Sequence, residues 1–326
     1  MKTSRQRIFF TAAVALLAVV ALYFLIPKFL GLRRLPDLLA QADPAWLILA
    51  LALTVACYAS YVALLHWMIR DLSWPISYQI TMAGLAATLL VSSGGLGGIL
   101  LTYWALRSLD LGRRESSARI FAFLVVLYSV YMVSLIVFGI LLRAGVLEGA
   151  SDLGLTVIPA IVAGSVFVIV LALALFPPEP GQQGWLARAG AAASVGVRRV
   201  LELARRPRAF SIALGGAVAF WALQIAVLWA SLRAFDLTVP VGPLVQGFFV
   251  GMVANLFPLT PGGIGAVDGG LIGTLVLFDQ PAAETFAGVL TFRVFTFWLV
   301  IPFGVAALFQ LRRSLGTSGD LEGLDD

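Results

Sequence analysis

The chain has 326 residues, of which 60% are hydrophobic and only 12% charged. A soluble domain carries roughly twice that charge fraction, so the composition excludes an ordinary soluble globular protein. The net charge of +5 comes mostly from arginines between apolar runs, a membrane-orientation pattern rather than a nucleic-acid one, and the single cysteine, Cys57, excludes an intramolecular disulfide.

In chain order, Lys2, Arg5 and Arg7 precede an apolar run at Ile8–Ile26. The run is longer than a signal-peptide core and no small-residue cleavage site follows, so it reads as a retained first span. Further runs at Trp46–Ile69, Ile120–Leu142, Leu155–Phe176, Phe210–Leu232 and Thr285–Leu311 reach the roughly 20 residues needed to cross a bilayer. The weak alternating segments of a β-barrel are not visible. The expected class is an all-α polytopic membrane protein with about six full transmembrane helices.

Two other apolar segments are broken by matching glycine clusters. Tyr78–Leu106 contains Gly94-Gly95-Leu96-Gly97-Gly98, and Gly242–Phe278 contains Pro261-Gly262-Gly263-Ile264-Gly265. The second segment is too long for one span; divided at its glycines it gives two half-helices of about 20 Å. Broken helices at membrane depth are tolerated where they are buried in protein or line a cavity. Both segments are therefore expected to be re-entrant hairpins. The alternative is close helix packing through small residues.

The arginines bear on orientation. The loop from Arg107 to Arg119 has four Arg and two acids, the connection from Pro177 to Arg208 has six Arg and two acids, and Arg312 and Arg313 follow the last span. With both hairpins re-entrant, every strongly basic loop falls on the cytoplasmic side, as do both termini. Lys28, Arg33 and Arg34 are the misfit, partly offset by Asp37 and Asp43.

The result is one integral membrane domain with an inverted-topology repeat, its units at about 8–142 and 155–311. Within the basic connection, 177–208, Trp185–Ala204 reads either as an amphipathic helix on the inner leaflet or as a solvated loop. The stretch 316–326 is acidic and glycine-rich and reads as a disordered tail.

Asp268 and Arg293 are the two ionisable residues far from any expected membrane edge. Arg293 lies about nine residues into its span, roughly 13 Å deep. A lone charge there costs at least a few kcal/mol, so each needs a partner or water. The two are expected to share a water-accessible cavity and to pair when it is empty. An anionic lipid phosphate could compete for the Arg293 fork, aided by unpaired amides after Gly95 and Gly263. The other reading is a buried ion pair that only fixes hairpin against helix. Asn255, Thr260, Gln246 and Gln224 either line that cavity or hydrogen-bond between helices. His66, beside Trp67, reads as an interfacial packing residue.

Enzyme signatures are missing: there is no H-E-x-x-H, C-x-x-C, G-x-S-x-G or P-loop, and no carboxylate cluster able to hold a metal. No catalytic residue and no cofactor are expected.

The run from Asn255 through Pro258, Pro261, Gly262, Gly263, Gly265 and Asp268, followed by Arg293 in the closing helix, resembles the signature of the lysylphosphatidylglycerol synthase transmembrane family. That family includes the flippase half of the bacterial multiple peptide resistance factor and many stand-alone membrane proteins. Gly94-Gly95-Leu96-Gly97-Gly98 with Tyr103 is similar to the family's earlier glycine motif. The resemblance spans about Trp46 to Leu311. It implies a bacterial cytoplasmic-membrane protein whose substrate site includes Arg293, Asp268, Gly262, Gly263, Gly265, Thr260, Asn255, Gly94 and Gly95. Members often carry an Arg just after the first cluster, where this chain has Leu101-Thr102-Tyr103-Trp104. No aminoacyl-transferase domain follows, so lysylphosphatidylglycerol synthesis is not expected.

The function expected is lipid translocation between leaflets, of a phospholipid or polyprenyl-type lipid, with membrane lipids as partners, no nucleic acid, and homo-oligomerisation left open. A non-transporting partner of a lipid-modifying or glycosyltransferase complex and a small-solute or ion transporter are the alternatives.

Overall fold

The structure is a computed structural model and describes residues 35–69, 72–90, 95–109, 111–176, 185–256 and 263–315. The expected first span, 8–26, the tail, 316–326, and Gly94, Thr260 and Gly262 lie outside the described residues.

The described residues form helices α1 (Leu35–Ala40), α2 (Pro44–Met68), α3 (Trp74–Leu90), α4 (Leu96–Ser108), α5 (Arg113–Arg143), α6 (Val157–Leu175), α7 (Trp185–Ala204), α8 (Pro207–Arg233), α9 (Val241–Met252), α10 (Ala266–Leu277), α11 (Ala282–Arg293) and α12 (Val300–Ser314). A π-helical segment, Val294–Trp298, joins the last two into one continuous helix, Ala282–Ser314. That helix, α2, α5 and α8 are long and apolar enough to cross a membrane. The protein is therefore a multi-pass helical membrane protein, as the composition requires. Much of the nineteen-residue α6 exposes bare aliphatic side chains, including Ile158, Ile161 and Val168, a surface suited to lipid rather than water.

The central pair is α2 and α8. Asp43 caps α2 by accepting the Ala45 N–H at 2.8 Å, and Pro44 starts the helix without wasting a donor. The two helices run antiparallel: the Cys57 Sγ lies 3.6 Å from the Phe220 carbonyl oxygen, and Leu64 packs on Gly216. At one end the Asp43 N–H donates to the Ala234 carbonyl at 2.9 Å, and Trp46 meets Trp229 edge-on at 5.1 Å.

Both glycine-broken segments fold back on themselves. A β-carbon on Gly98 of α4 would lie 2.7 Å from the Gly84 carbonyl oxygen of α3. In the second hairpin, Gly247 faces Leu275 and Gly251 faces Leu271, the register of two antiparallel arms. At twelve residues, α9 and α10 are each about 18 Å long, well short of a bilayer core.

The hairpins pack reciprocally. The first arm of hairpin one, α3, lies against α12, with Gly304 on Ala86. The first arm of hairpin two, α9, lies against α5, where Gly139 approaches Gln246. Each hairpin thus packs through its first arm on a long helix from the other half of the chain.

The basic connection carries α7, a strongly amphipathic helix packed on α5 and α6. Of the two sequence readings, helix and solvated loop, the helix is observed. His66 stacks on Trp74 at 4.0 Å, a packing role as expected.

Candidate functional site: a cavity between two hairpins

The chain enters the second arm of each hairpin through a glycine at positive φ: Gly95 at +94° before α4 and Gly265 at +85° before α10. A side chain is disfavoured in that region, which fixes glycine at both helix starts. Neither glycine can cap its helix with a side chain. At α10 the task passes to Asp268, three residues on, whose Oδ2 accepts the Gly265 N–H at 2.9 Å. This is the reach-back half of a capping box, with the carboxylate also complementing the positive end of the helix dipole.

The other oxygen, Oδ1, lies 2.7 Å from the Arg293 Nε. Both residues are buried, with 4% and 6% of their surface exposed. The Arg293 guanidinium also sits 4.8 Å above the Phe297 ring, and Ile264 of the hairpin turn packs on that same ring. Turn, carboxylate, guanidinium and aromatic ring therefore close a loop that holds hairpin two against the closing helix.

Arg293 is the last residue before the π segment. That segment replaces the α-helical pattern with a wider one, seen in the Leu299 N–H donating to the Val294 carbonyl at 2.9 Å. Its Thr296 carbonyl accepts the Tyr58 hydroxyl at 2.9 Å, which ties the irregular turn to α2.

These groups border a cavity of about 410 Å³. Hairpin one supplies Gly95, Gly98 and Thr102, hairpin two supplies Met252 and Val267, and Tyr58, Phe123, Tyr128, Trp221 and Gln224 come from α2, α5 and α8. Arg293 lines it; Asp268 stands behind Arg293 and does not. Two buried polar atoms of the lining, Thr81 Oγ1 and Gln224 Oε1, have no hydrogen-bond partner among the described residues. Buried polar groups are rarely left unpaired, so these two call for water or a ligand in the cavity. A guanidinium, two such oxygens and an aromatic wall suit an amphiphile with an anionic polar part.

The hairpins differ at one decisive position. Asp268 is the third residue after Gly265, and the third residue after Gly95 is Gly98. A β-carbon at Gly98 would lie 2.4 Å from the Thr88 Oγ1, so no side chain fits there. Hairpin one offers backbone where hairpin two offers a carboxylate.

Of the residues singled out by sequence, Arg293 and Gly95 line the cavity and Asp268 braces Arg293. Gly263 and Gly265 belong to the turn and do not line it. The Asn255 backbone lies in a 3₁₀ turn, Val253–Leu256, while its side chain is outside the described residues. Gln224 is in the lining, but Gln246 is not: its Nε2 donates to the Leu155 carbonyl at 2.9 Å, between α9 and the start of α6. Sequence reasoning missed Tyr58, Thr81 and Thr102; the last two were detectable as hydroxyls within an otherwise apolar broken segment. Among the described residues, no group of three or more His, Cys, Asp or Glu side chains could hold a metal.

Residues 10–304 match the family described as the lysylphosphatidylglycerol synthase TM region. A UPF0104 membrane protein of Methanothermobacter thermautotrophicus is 24% identical, the alignment covering 91% of this chain and 94% of that protein. The chain belongs to the lysylphosphatidylglycerol synthase transmembrane family.

Proposed function

We propose that this member of the lysylphosphatidylglycerol synthase transmembrane family is a lipid translocator, moving an anionic amphiphilic lipid between leaflets through the space between its two hairpins. The observation that carries the reading is the central cavity: both hairpins contribute to it, Arg293 faces it, and two orphaned oxygens point to a polar occupant. Arg293 would engage the headgroup phosphate through the two-pronged geometry that suits phosphate oxygens. The aromatic and aliphatic wall would accept the glycerol or isoprenoid portion. Chains of half-membrane length on either side of the cavity leave a short distance for a headgroup to travel away from water.

In this reading the hairpins are re-entrant from opposite faces, both termini are cytoplasmic, and the host membrane is the bacterial inner membrane. One structural relation supports the orientation. Arg119 of the first basic loop and Arg199, Arg205 and Arg206 of the second lie around one cleft at the end of α2, so the two loops share a side.

The buried Asp268–Arg293 pair favours a second reading, in which the pair is purely structural and the protein is a non-transporting partner of other membrane enzymes. Reconstitution into vesicles carrying fluorescent phospholipids separates the two. Wild-type protein should accelerate transbilayer movement and Arg293→Ala should not. Equal movement with and without protein would sink the translocator reading.

A further inference from the structure

Outside the central cavity, a second cleft lies where the end of α2, the start of α5, the end of α7 and the start of α8 converge. It measures about 590 Å³ and shares no lining residue with the central cavity. Arg119, Arg199, Arg205 and Arg206 line it with one carboxylate, Glu202, over an apolar floor that includes Trp67 and Leu203. Glu115 and Glu202 hold two of these arginines: Arg119 Nε is 2.7 Å from Glu115 Oε1, and Arg199 reaches both carboxylates at 3.0 Å. Arg205 and Arg206 have no acidic partner among the described residues. Four guanidinium groups against two carboxylates leave the cleft strongly positive.

The positions of these groups are fixed by packing. The buried face of α7 presses on α5, where a β-carbon at Gly196 would lie 3.1 Å from the Phe121 Cβ, so the helix cannot lift away without losing that fit. Its arginines then project beside the end of a membrane-length helix, with Trp67 half exposed at the level where indole rings favour the headgroup region.

We propose that this cleft is a binding site for the phosphate of an anionic phospholipid in the adjoining leaflet. Arg205 and Arg206 are its phosphate contacts, Arg199 is held ready by its two carboxylates, and Trp67 packs against the glycerol and upper acyl carbons. Basic pockets between membrane helices recognise acidic headgroups in this way. A free phosphate ion would satisfy the arginines, but it gives no use to the apolar floor. The bound lipid would clamp α7 to the bundle and is separate from any lipid carried through the central cavity.

The test is native mass spectrometry of the full chain in neutral detergent, with melting temperature as a second readout. The probes are phosphatidylglycerol, phosphatidylcholine with the same chains, and inorganic phosphate. Phosphatidylglycerol should be retained and should raise the melting temperature, while the other two should do neither. The double variant Arg205→Gln/Arg206→Gln changes only exposed side chains and should lower apparent affinity by roughly thirtyfold, about fivefold per arginine. In Arg293→Gln, which is less stable and lacks the central-cavity phosphate contact, phosphatidylglycerol should still raise the melting temperature above that variant's own lipid-free value, and adding Arg205→Gln/Arg206→Gln should abolish the rise, so failure of the translocator reading would not remove this site. Wild-type retention of phosphatidylcholine equal to phosphatidylglycerol would overturn the proposal, as would undiminished binding in the double variant. Equal stabilisation by inorganic phosphate would make the site one for the free ion and overturn the lipid assignment.

Discussion

Removing Arg293 strands a buried charge, and the size of that effect can be worked from the geometry. In Arg293→Gln, Asp268 loses the Nε at 2.7 Å and keeps only the Gly265 N–H at 2.9 Å, at a position 4% exposed. Breaking one side of a buried pair costs about 3–5 kcal/mol, and the remaining amide places this case near 3 kcal/mol, more than a hundredfold in the folding equilibrium. Asp268→Asn should cost about 1.5 kcal/mol, because Asn can still accept the Gly265 amide and Arg293 keeps the Phe297 face and the cavity. The double variant strands no charge and should also fall about 1.5 kcal/mol below wild type, a coupling energy of about 3 kcal/mol. Unfolding in mixed micelles, followed by tryptophan fluorescence, measures all four proteins; lipid movement in vesicles is measured on the same preparations. Asp268→Asn should continue to move lipid, while the double variant should be nearly as stable as Asp268→Asn yet inactive. A double variant that moves lipid at the wild-type rate would refute a substrate role for Arg293. Strictly additive losses would refute the coupling itself.

Two further outcomes follow from the same geometry. Gly98→Val drives side-chain carbon into the Thr88 hydroxyl and the Gly84 carbonyl and should lower stability by about 2–3 kcal/mol, while Gly95→Ala, which meets nothing within 4 Å, should lose about 1 kcal/mol through its φ of +94° alone; melting in detergent distinguishes them. Leu124→Trp, from a half-buried position of the lining, should fill much of the central cavity and slow lipid movement at least tenfold while shifting the melting temperature little; unchanged transport would place the path elsewhere.

The long helices were legible because bilayer burial leaves a signal that composition alone carries: α2, α6 and α8 begin and end within three residues of the apolar runs. The breaks were legible because glycine at positive φ has few substitutes. Asp268 and Arg293 were legible by depth, since a membrane interior makes each isolated charge conspicuous. The rest depends on packing that no local pattern encodes. Helix α5 begins at Arg113 rather than at Ile120 because Glu115 and Arg119 pair across one turn, carrying the helix beyond its apolar stretch. The π segment at Val294–Trp298 leaves no mark in a hydrophobic run, yet it sets where Phe297 lies under Arg293. Tyr58 and Trp221 read as ordinary apolar positions until α2 and α8 cross.

The inequality between the hairpins bears on how an anion could enter at all. Had both carried a carboxylate at the third position, a headgroup phosphate would meet two negative charges across a narrow space. Gly98 forbids one of them sterically, since its place is filled by Thr88 and Gly84. The remaining carboxylate, Asp268, is withdrawn from the cavity by the Gly265 amide, and only its cationic partner faces the interior. The pair is thus neutral when the cavity is empty, which keeps an isolated charge out of a low-dielectric setting, yet the member that lines the cavity is the cation, the one a phosphate would engage in the proposed function. An arriving anion need not break the pair: it can share the guanidinium, using donors on the side away from Asp268. Release then needs no large reversal, because Asp268 already satisfies Arg293. If the protein is the translocator proposed, a site of that kind would bind weakly and let go readily, as movement between leaflets would demand.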